Sequence, residues 1–277
     1  MWTRRLLCLS PVCAAVPVRA GAAPLRIALL PSMGVRSLLT LYRPLRMHLE
    51  QALGQTVEML TAPDYRHHHA GTLAGDFDMV LTAAHLARHA QLHAGFVPVA
   101  MYGGINCPLM ITGARQALKN TGQLKGQALA VFDPSALVAL KALEWLEDHG
   151  LHAGKDFRLA VHHSQVSVTQ AVIQGEAQAG VVTTSGYHMF SHEQRELTRV
   201  FIELPAVPSL VWMAHPRLTR QVPQLRAELI GYGKTPEGQQ FLAETAYLRL
   251  REVRTEDLIS LDRLALRVPS LLKEDIQ

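Results

Sequence analysis

The chain has 277 residues, 48% of them hydrophobic, which is enough for one large domain or two smaller ones with a substantial core. The formal net charge is +4, but without Arg4, Arg5 and Arg19 near the N-terminus it falls to +1. No long basic run remains, so the composition argues against a nucleic-acid partner.

Residues 1–23 have the pattern of a secretory signal. Arg4 and Arg5 form a positive region, an apolar stretch follows from Leu6 to Val18, and small residues around Ala20 offer cleavage sites. The apolar stretch is too short to span a bilayer. The sequence therefore predicts export to the periplasm through a cleaved signal.

Cys107 is the only cysteine after this segment, so we expect no internal disulfide. It begins the apolar run 107–112, and we predict a buried small hydrophobic residue rather than a nucleophile.

Strand and helix patterns then alternate along the chain. Strands are predicted over residues 25–30, 56–60, 77–82, 96–102, 108–113, 127–132, 157–161, 179–183, 200–204 and 209–214. Helices are predicted over residues 41–53, 65–73, 83–92, 135–149, 166–174 and 191–197, and over most of 217–266. The first helix is expected to begin near Pro44, with proline in its first turn. This alternation predicts an α/β fold with largely parallel sheets.

Hydroxyl side chains follow four of the predicted strands, at Ser32, Thr82, Ser135 and the run Thr183–Ser185. Ligands of open α/β sheets bind at the carboxyl ends of strands, where helix N-termini present free N–H groups. Each hydroxyl by itself is explained by a helix N-cap. Together they favour a cleft for phosphate-like or carboxylate groups, and we expect Ser135 both to cap its helix and to contact the ligand.

Histidines form a second conspicuous pattern. We interpret His67–His69 as a solvated helix face, because adjacent side chains on one turn do not converge on a metal ion. His85 and His89 lie one turn apart, with His93 next, a spacing that could hold a metal ion; we favour a simple helix face, with His85 as a hydrogen-bond partner of the ligand.

Catalytic motifs are not evident in the sequence. It contains no Gly-x-Ser-x-Gly, His-Glu-x-x-His, Walker or dinucleotide-binding pattern. We therefore expect a binding protein rather than an enzyme, with no cofactor and no resident metal.

The order of short motifs resembles that of the phosphate/phosphite/phosphonate-binding proteins of ABC transporters. The most specific part is Tyr-x-Pro-Leu and Ala-Pro-Asp-Tyr, followed by Leu-Lys-Gly and Phe-Asp-Pro. The matching pieces are LRIALLPS from Leu25, YRPLRMHLEQALGQTVEMLTAPDY from Tyr42, LAGDFDMVLTAAHLARHA from Leu73, LKGQALAVFDPSAL from Leu124, LEDHGLHAGKDF from Leu146 and AVIQGEAQAGVV from Ala171.

The resemblance implies the two-lobed type II periplasmic-binding-protein fold, in which each lobe has a central mixed, mostly parallel sheet flanked by helices. Residues 24–111 and 205–277 would form lobe one and residues 112–204 lobe two, with hinge crossings near 109–112 and 201–210. A small oxyanion would bind between lobes that close by hinge motion. The resemblance places it at the hydroxyl of Ser135 and the N–H groups of Ala136 and Leu137.

From lobe one we expect Thr82 and His85 to bind the same anion. Ser32, Tyr42 and Thr184 are expected to line the cleft, and Tyr65 and Tyr102 are further aromatic candidates. The chain departs from the family pattern in four respects. Its Ser/Thr cluster after Asp-Pro is poorer, and His85 stands where the family has an aromatic residue. The family's Ser-His-Asp stretch reads Ser164-Gln165-Val166 here, and its Asp-Ala-Gly reads Gln178-Ala179-Gly180. Carboxylates suited to the ammonium of an aminophosphonate are not evident.

The sequence thus predicts an exported, monomeric solute-binding protein that captures a phosphonate- or phosphate-like anion for an inner-membrane ABC permease. One alternative is a periplasmic sensor of the same fold that presents its ligand to a membrane histidine kinase. Another is a metal-binding protein that uses the histidines.

Overall fold

The computed structural model describes residues 23–104 and 106–272, so the predicted signal lies outside the described residues. This part of the chain contains eleven strands in two mixed sheets. They are β1 (Leu25–Leu29), β2 (Val57–Thr61), β3 (Met79–Thr82), β4 (Val97–Gly103), β5 (Pro108–Gly113), β6 (Ala128–Val131), β7 (Arg158–Val161), β8 (Ala179–Thr183), β9 (Thr198–Glu203), β10 (Val211–Ala214) and β11 (Arg249–Arg251).

Twelve α-helices cover the faces and ends of these sheets within the described ranges. They are α1 (Val35–Leu53), α2 (Tyr65–Ala74), α3 (Ala84–Ala94), α4 (Leu137–Asp148), α5 (Gln165–Gln174), α6 (Thr184–His188), α7 (His192–Glu196), α8 (Val222–Tyr232), α9 (Pro236–Thr245), α10 (Thr255–Ile259), α11 (Asp262–Ala265) and α12 (Val268–Leu271). Two 3₁₀ turns, Thr121–Leu124 and Pro216–Gln221, complete the regular structure. None of the described helices is long and apolar enough to cross a membrane.

The first sheet has the strand order β11-β4-β10-β3-β1-β2, and the second has the order β7-β6-β8-β5-β9. Parallel pairs join β1 to β2 and β3, and β6 to β7 and β8. The remaining pairs are antiparallel: β5 and β10, which lie next to the crossings between sheets, run against their neighbours, and β11 runs against β4. The sheets are mixed, as expected. They contain more antiparallel strand pairs than we expected from a largely parallel arrangement.

The chain passes between the two sheets twice. The first crossing lies between β4 and β5 and the second between β9 and β10. The first was expected near 109–112, but these residues belong to β5, which is hydrogen-bonded on both edges within the second sheet. The crossing therefore precedes Pro108, and we propose that the lobes follow the two sheets, with the second beginning near that residue.

Apolar side chains pack on both faces of the first sheet. On one face α1 and α8 contribute Leu45, Leu49, Leu225 and Leu229, all fully buried beside Trp212. Burial of each such leucine stabilises the fold by about 1.5–3 kcal/mol relative to an exposed one. The apolar cluster on the other face continues without a break into the second sheet, so the two halves are in contact where a ligand would lie.

One helix boundary and two short elements differ from the sequence-based expectation. Helix α1 begins at Val35 and contains Pro44 in its interior, so the predicted start near Pro44 is wrong. The apolar face formed by Leu38, Tyr42 and Leu45 runs through the proline, and its burial outweighs the backbone hydrogen bond that proline cannot make. Strand β11 and helix α6 were not predicted, whereas the Ser191 capping box of α7 is confirmed.

Candidate ligand-binding cleft

A cavity of about 60 Å³ lies between the two sheets. It adjoins the carboxyl ends of β1, β3, β6 and β8, where Leu30, Leu81, Phe132 and Thr183 reach it. This is the position at which open α/β sheets bind ligands. The polar part of the lining consists of Ser32, Tyr42, Tyr65, Asn106, Gln165, Thr183, Ser185, Thr245 and Tyr247.

The lining is uncharged among the residues that the structure describes. Hydroxyl, amide and backbone groups are therefore the polar groups available to a ligand. The phenols strengthen this character, because burial raises the pKa of Tyr42, Tyr65 and Tyr247 above the ordinary value for tyrosine. Each remains a neutral O–H donor at physiological pH, so an anion would meet donors rather than an opposing negative charge.

Helix α1 directs its N-terminus toward this region. Its N-cap is Gly34, which has no side chain to satisfy the first N–H groups, and its first turn contains no acidic residue. The two residues that line the cavity here, Ser32 and Met33, immediately precede the cap. An uncapped N-terminus of a 19-residue helix combines free N–H donors with the positive end of the helix dipole.

A hydrogen-bonded network shapes the opposite wall at the end of β8. The side-chain oxygen of Gln165 accepts from the Thr183 N–H at 2.7 Å and from the Thr183 hydroxyl at 3.0 Å. The same hydroxyl accepts from the Gly186 N–H at 2.8 Å and lies 3.0 Å from the Ser185 hydroxyl. Because its oxygen is engaged in this way, Gln165 is held in one orientation, with its amide nitrogen still available as a donor.

Aromatic rings provide the apolar part of the cavity wall. Tyr65 and Phe132, from opposite halves of the molecule, meet edge to face with ring centroids 6.2 Å apart. Tyr247 is stacked on Tyr102 at 4.3 Å, which fixes Tyr247 beside the cavity. These contacts rigidify the side chains before a ligand arrives, which reduces the entropy cost of binding.

The structure brings some of the predicted site residues together and separates others. Ser32 and Tyr42 line the cavity, and so does the candidate Tyr65. Thr184 does not: its hydroxyl accepts from the Cys107 N–H at 3.0 Å and donates to the Cys107 carbonyl at 3.2 Å. Thr184 thereby fastens the end of β8 to the first crossing segment. Cys107 is buried, as expected, and burial raises its pKa to about 11.

Ser135 is oriented by its own loop. Its hydroxyl donates to the Asp133 carboxylate at 2.5 Å and its N–H to the same oxygen at 2.8 Å. The N-cap of α4 is Ala136, without a side-chain capping bond. The expectation that Ser135 caps this helix is therefore wrong, because Asp133 engages the hydroxyl first.

The loop of Ser135 also contacts the first half of the molecule. The second Asp133 oxygen accepts from the Tyr65 N–H at 3.3 Å, and His85 Nε2 donates to the Ser135 carbonyl at 3.0 Å. In this conformation the cavity is not lined by Ser135, Ala136, Leu137, Thr82 or His85. Their role as ligand-binding residues stays a prediction.

The histidines are packed inside the protein rather than on a solvated face. Only His67 of the triplet is exposed; His68 and His69 are buried, as are His85 and His89, so both helix-face interpretations are corrected. The reason is that α2 packs directly on α3. His69 Nε2 lies 2.9 Å from His89 Nδ1. Within the described part of the chain, no group of three or more His, Cys, Asp or Glu side chains is arranged to hold a metal ion.

Several lining residues were missed by the sequence reasoning. Gln165 lies in the stretch that replaces the family's Ser-His-Asp motif but was not chosen as a site residue, and Tyr247, in the C-terminal segment, carries no local signal. Thr183 and Ser185 belong to the hydroxyl-rich run recognised in the sequence, but Thr184 was chosen instead of its two neighbours. Thr184 is the first residue of α6, and its hydroxyl turns to the backbone of Cys107 instead of the cavity.

Comparisons with known proteins agree with this architecture. The family model described as "ABC transporter, phosphonate, periplasmic substrate-binding protein" matches residues 27–258. A search of curated proteins gave no match.

Solved structures show a similar fold at low sequence identity. The binding-protein component of an ABC phosphonate transporter from Pseudomonas aeruginosa is 17% identical with a TM-score of 0.78, covering 91% of this chain and 90% of that one. PhnD1 from Prochlorococcus marinus in complex with methylphosphonate is 14% identical with a TM-score of 0.78, covering 88% and 98%. The alkanesulfonate-binding protein SsuA from Xanthomonas axonopodis pv. citri bound to MOPS is 16% identical with a TM-score of 0.61, covering 93% and 96%. Since the family model extends over most of the sequence, the chain belongs to the periplasmic substrate-binding proteins of phosphonate ABC transporters.

Proposed function

We propose that this protein captures a small phosphonate-like oxyanion in the cavity between its two halves and delivers it to an inner-membrane ABC permease. The observation that carries the proposal is the uncharged, donor-rich lining contributed by both sheets at the ends of their parallel strands. We further propose that residues 1–23 direct export and are removed.

The size of the cavity favours a small ligand. A space of about 60 Å³ corresponds to about four to six water positions. A tetrahedral oxyanion with a one-carbon substituent has five heavy atoms that need positions. Methylphosphonate, which is bound in one of the structural neighbours, is therefore the first probe.

The proposed contacts divide between the two walls. The N-terminus of α1, with the Ser32 hydroxyl, would hold the oxyanion from one side. The amide nitrogen of Gln165 would donate from the other, together with the Ser185 hydroxyl once its proton turns from the Thr183 oxygen to the ligand. A ligand held by both walls stabilises the closed arrangement over an open one, because it gains its full set of hydrogen bonds only when the walls meet.

Thermal unfolding of the purified protein with a panel of ligands tests the proposal. The panel contains methylphosphonate, phosphate, phosphite, sulfate, methanesulfonate and Zn²⁺. A bound ligand at 100 times its Kd stabilises the native state by about 2.7 kcal/mol, which raises the Tm by about 5–10 °C for a chain of this size. We expect that shift with methylphosphonate, whereas stabilisation by Zn²⁺ alone would contradict the proposal.

A serine pair assigns the effect to the cavity. Ser185→Ala removes one donor to a charged ligand, worth about 1.5–3 kcal/mol, so we expect methylphosphonate affinity to fall by about 10- to 100-fold in calorimetry. Ser270→Ala changes an exposed serine outside the cavity and is expected to bind like the parent protein. Equal affinities for the two variants would place the ligand elsewhere.

A further inference from the structure

A second, larger chamber adjoins the cavity. It has a volume of about 570 Å³, opens to solvent and lies between α1 and α9. Three side chains line both chambers: Met33, Leu41 and Met189. The two chambers are therefore separated by these apolar side chains, which we call the apolar partition.

The chambers differ in chemistry as well as in size. The inner cavity is lined by uncharged groups, whereas Arg36, Glu237 and Glu244 line the outer chamber. The charges thus lie on the solvent side of the partition. A substituent that passed the partition would leave the small uncharged cavity and enter the wide, charged outer chamber that opens to solvent.

Both halves of the molecule contribute to the partition. Met33 and Leu41 belong to α1 and the turn before it, beside the first sheet, whereas Met189 follows α6 at the end of the second. Met189 is held against the first half by its neighbour, because His188 Nε2 donates to the Ala243 carbonyl of α9 at 3.0 Å. The partition is therefore complete only when the two halves are together.

We propose that Met33, Leu41 and Met189 determine ligand specificity by setting the longest substituent that the inner cavity accepts, so that the protein selects short-chain oxyanions. This inference rests on the proposed function. Unbranched thioether side chains are adaptable, but in the closed arrangement Met33 and Met189, with Leu41, are the side chains shared by the linings of the small cavity and the larger chamber. A longer substituent must displace them, and a misfit of one methylene in an apolar pocket changes affinity by about 10- to 200-fold.

Calorimetry with methyl-, ethyl-, n-propyl- and n-pentylphosphonate tests the partition. For the parent protein we expect affinity to fall by at least 10-fold between methyl- and n-propylphosphonate. In Met33→Ala/Met189→Ala the two chambers merge, and we expect the same ratio to shrink to less than about threefold while methylphosphonate still binds. Met189→Ala alone changes a residue that is 41% exposed, so the substitution disturbs folding less. It is expected to lower the ratio of methyl- to n-propylphosphonate affinity in the same direction.

Met47→Ala is the matched control, since Met47 is an exposed methionine of α1 that lines neither chamber. It is expected to keep the parent ratio. If the parent binds all four phosphonates equally, or if both partition variants keep the parent ratio, the inference is overturned and the proposed function stands. If the parent binds none of the four, the proposed function fails and the inference fails with it.

Discussion

Acidification is expected to destabilise this protein through histidines buried away from the ligand cavity. His68 and His85 are fully buried, and burial lowers the pKa of each from 6.5 to about 4. The backbone of Ala28 beside His68 and that of Ser135 beside His85 offset only part of this lowering. Both side chains are therefore neutral in the native protein, and protonating them lowers the free energy of unfolding.

The sign of the effect follows from the lowered pKa. Between pH 6.5 and about 4 the unfolded chain binds protons at these histidines that the native protein does not. The stability contribution is complete above pH 6.5 and is lost as the pH falls toward 4. Each group accounts for about 3 kcal/mol, since one pKa unit corresponds to about 1.36 kcal/mol.

The loss is large compared with the total stability of an ordinary domain. If His68 and His85 act independently, their protonation lowers the free energy of unfolding by about 6 kcal/mol, whereas the total for a typical domain is about 5–15 kcal/mol. His69 adds to the loss in the same direction, because burial and then the nearby His89 lower its pKa to about 3. We therefore expect the free energy of unfolding to decrease steeply from pH 7 to pH 4.

Urea unfolding followed by circular dichroism at pH 7, 6, 5 and 4 measures this dependence. In His68→Leu an apolar side chain replaces the imidazole beside Phe77, so the loss between pH 7 and pH 4 is expected to shrink by about 3 kcal/mol. His163→Gln removes an exposed imidazole and is expected to retain the steep dependence of the parent. A His68→Leu protein that loses as much stability as the parent over this range would refute the reasoning.

Two other predictions concern backbone packing and the loop before α4. A Cβ at Gly238 would overlap the backbone of Tyr232, so Gly238→Ala is expected to lower the free energy of unfolding in urea by about 1–3 kcal/mol. A Cβ at Gly231 would meet nothing within 4 Å, so Gly231→Ala is expected to raise the same free energy by about 0.5–1 kcal/mol. The opposite order of the two variants would contradict the packing. Ser135→Ala is expected to reduce methylphosphonate affinity less than Ser185→Ala in calorimetry, because Ser185 lines the cavity and Ser135 does not. A larger loss for Ser135→Ala would make the Ser135 loop the oxyanion site.

Local patterns in the sequence were sufficient to predict most of the secondary structure. They also predicted the edge of the sheets at which we expect a ligand to bind. Period-two and period-3.6 hydrophobic patterns depend on residues close in the chain, so nearly all strands and longer helices were predicted within a few residues. The fold family followed from the order of the motifs, and the family model confirms it. Ser32, after the first strand, and Tyr42, in the first helix, line the cavity, and their contact with a ligand stays a prediction.

Only the tertiary structure decided which hydroxyls face the ligand and which are used by the protein itself. Ser135 and Ser185 look equivalent in sequence, and both hydroxyls have partners within the protein, but only Ser185 lines the cavity. Tyr247 reaches the same cavity from a distant segment, and the burial of His68 depends on how α2 meets α3. Hydrogen-bond partners and burial are set by contacts between remote parts of the chain, which no local periodicity encodes.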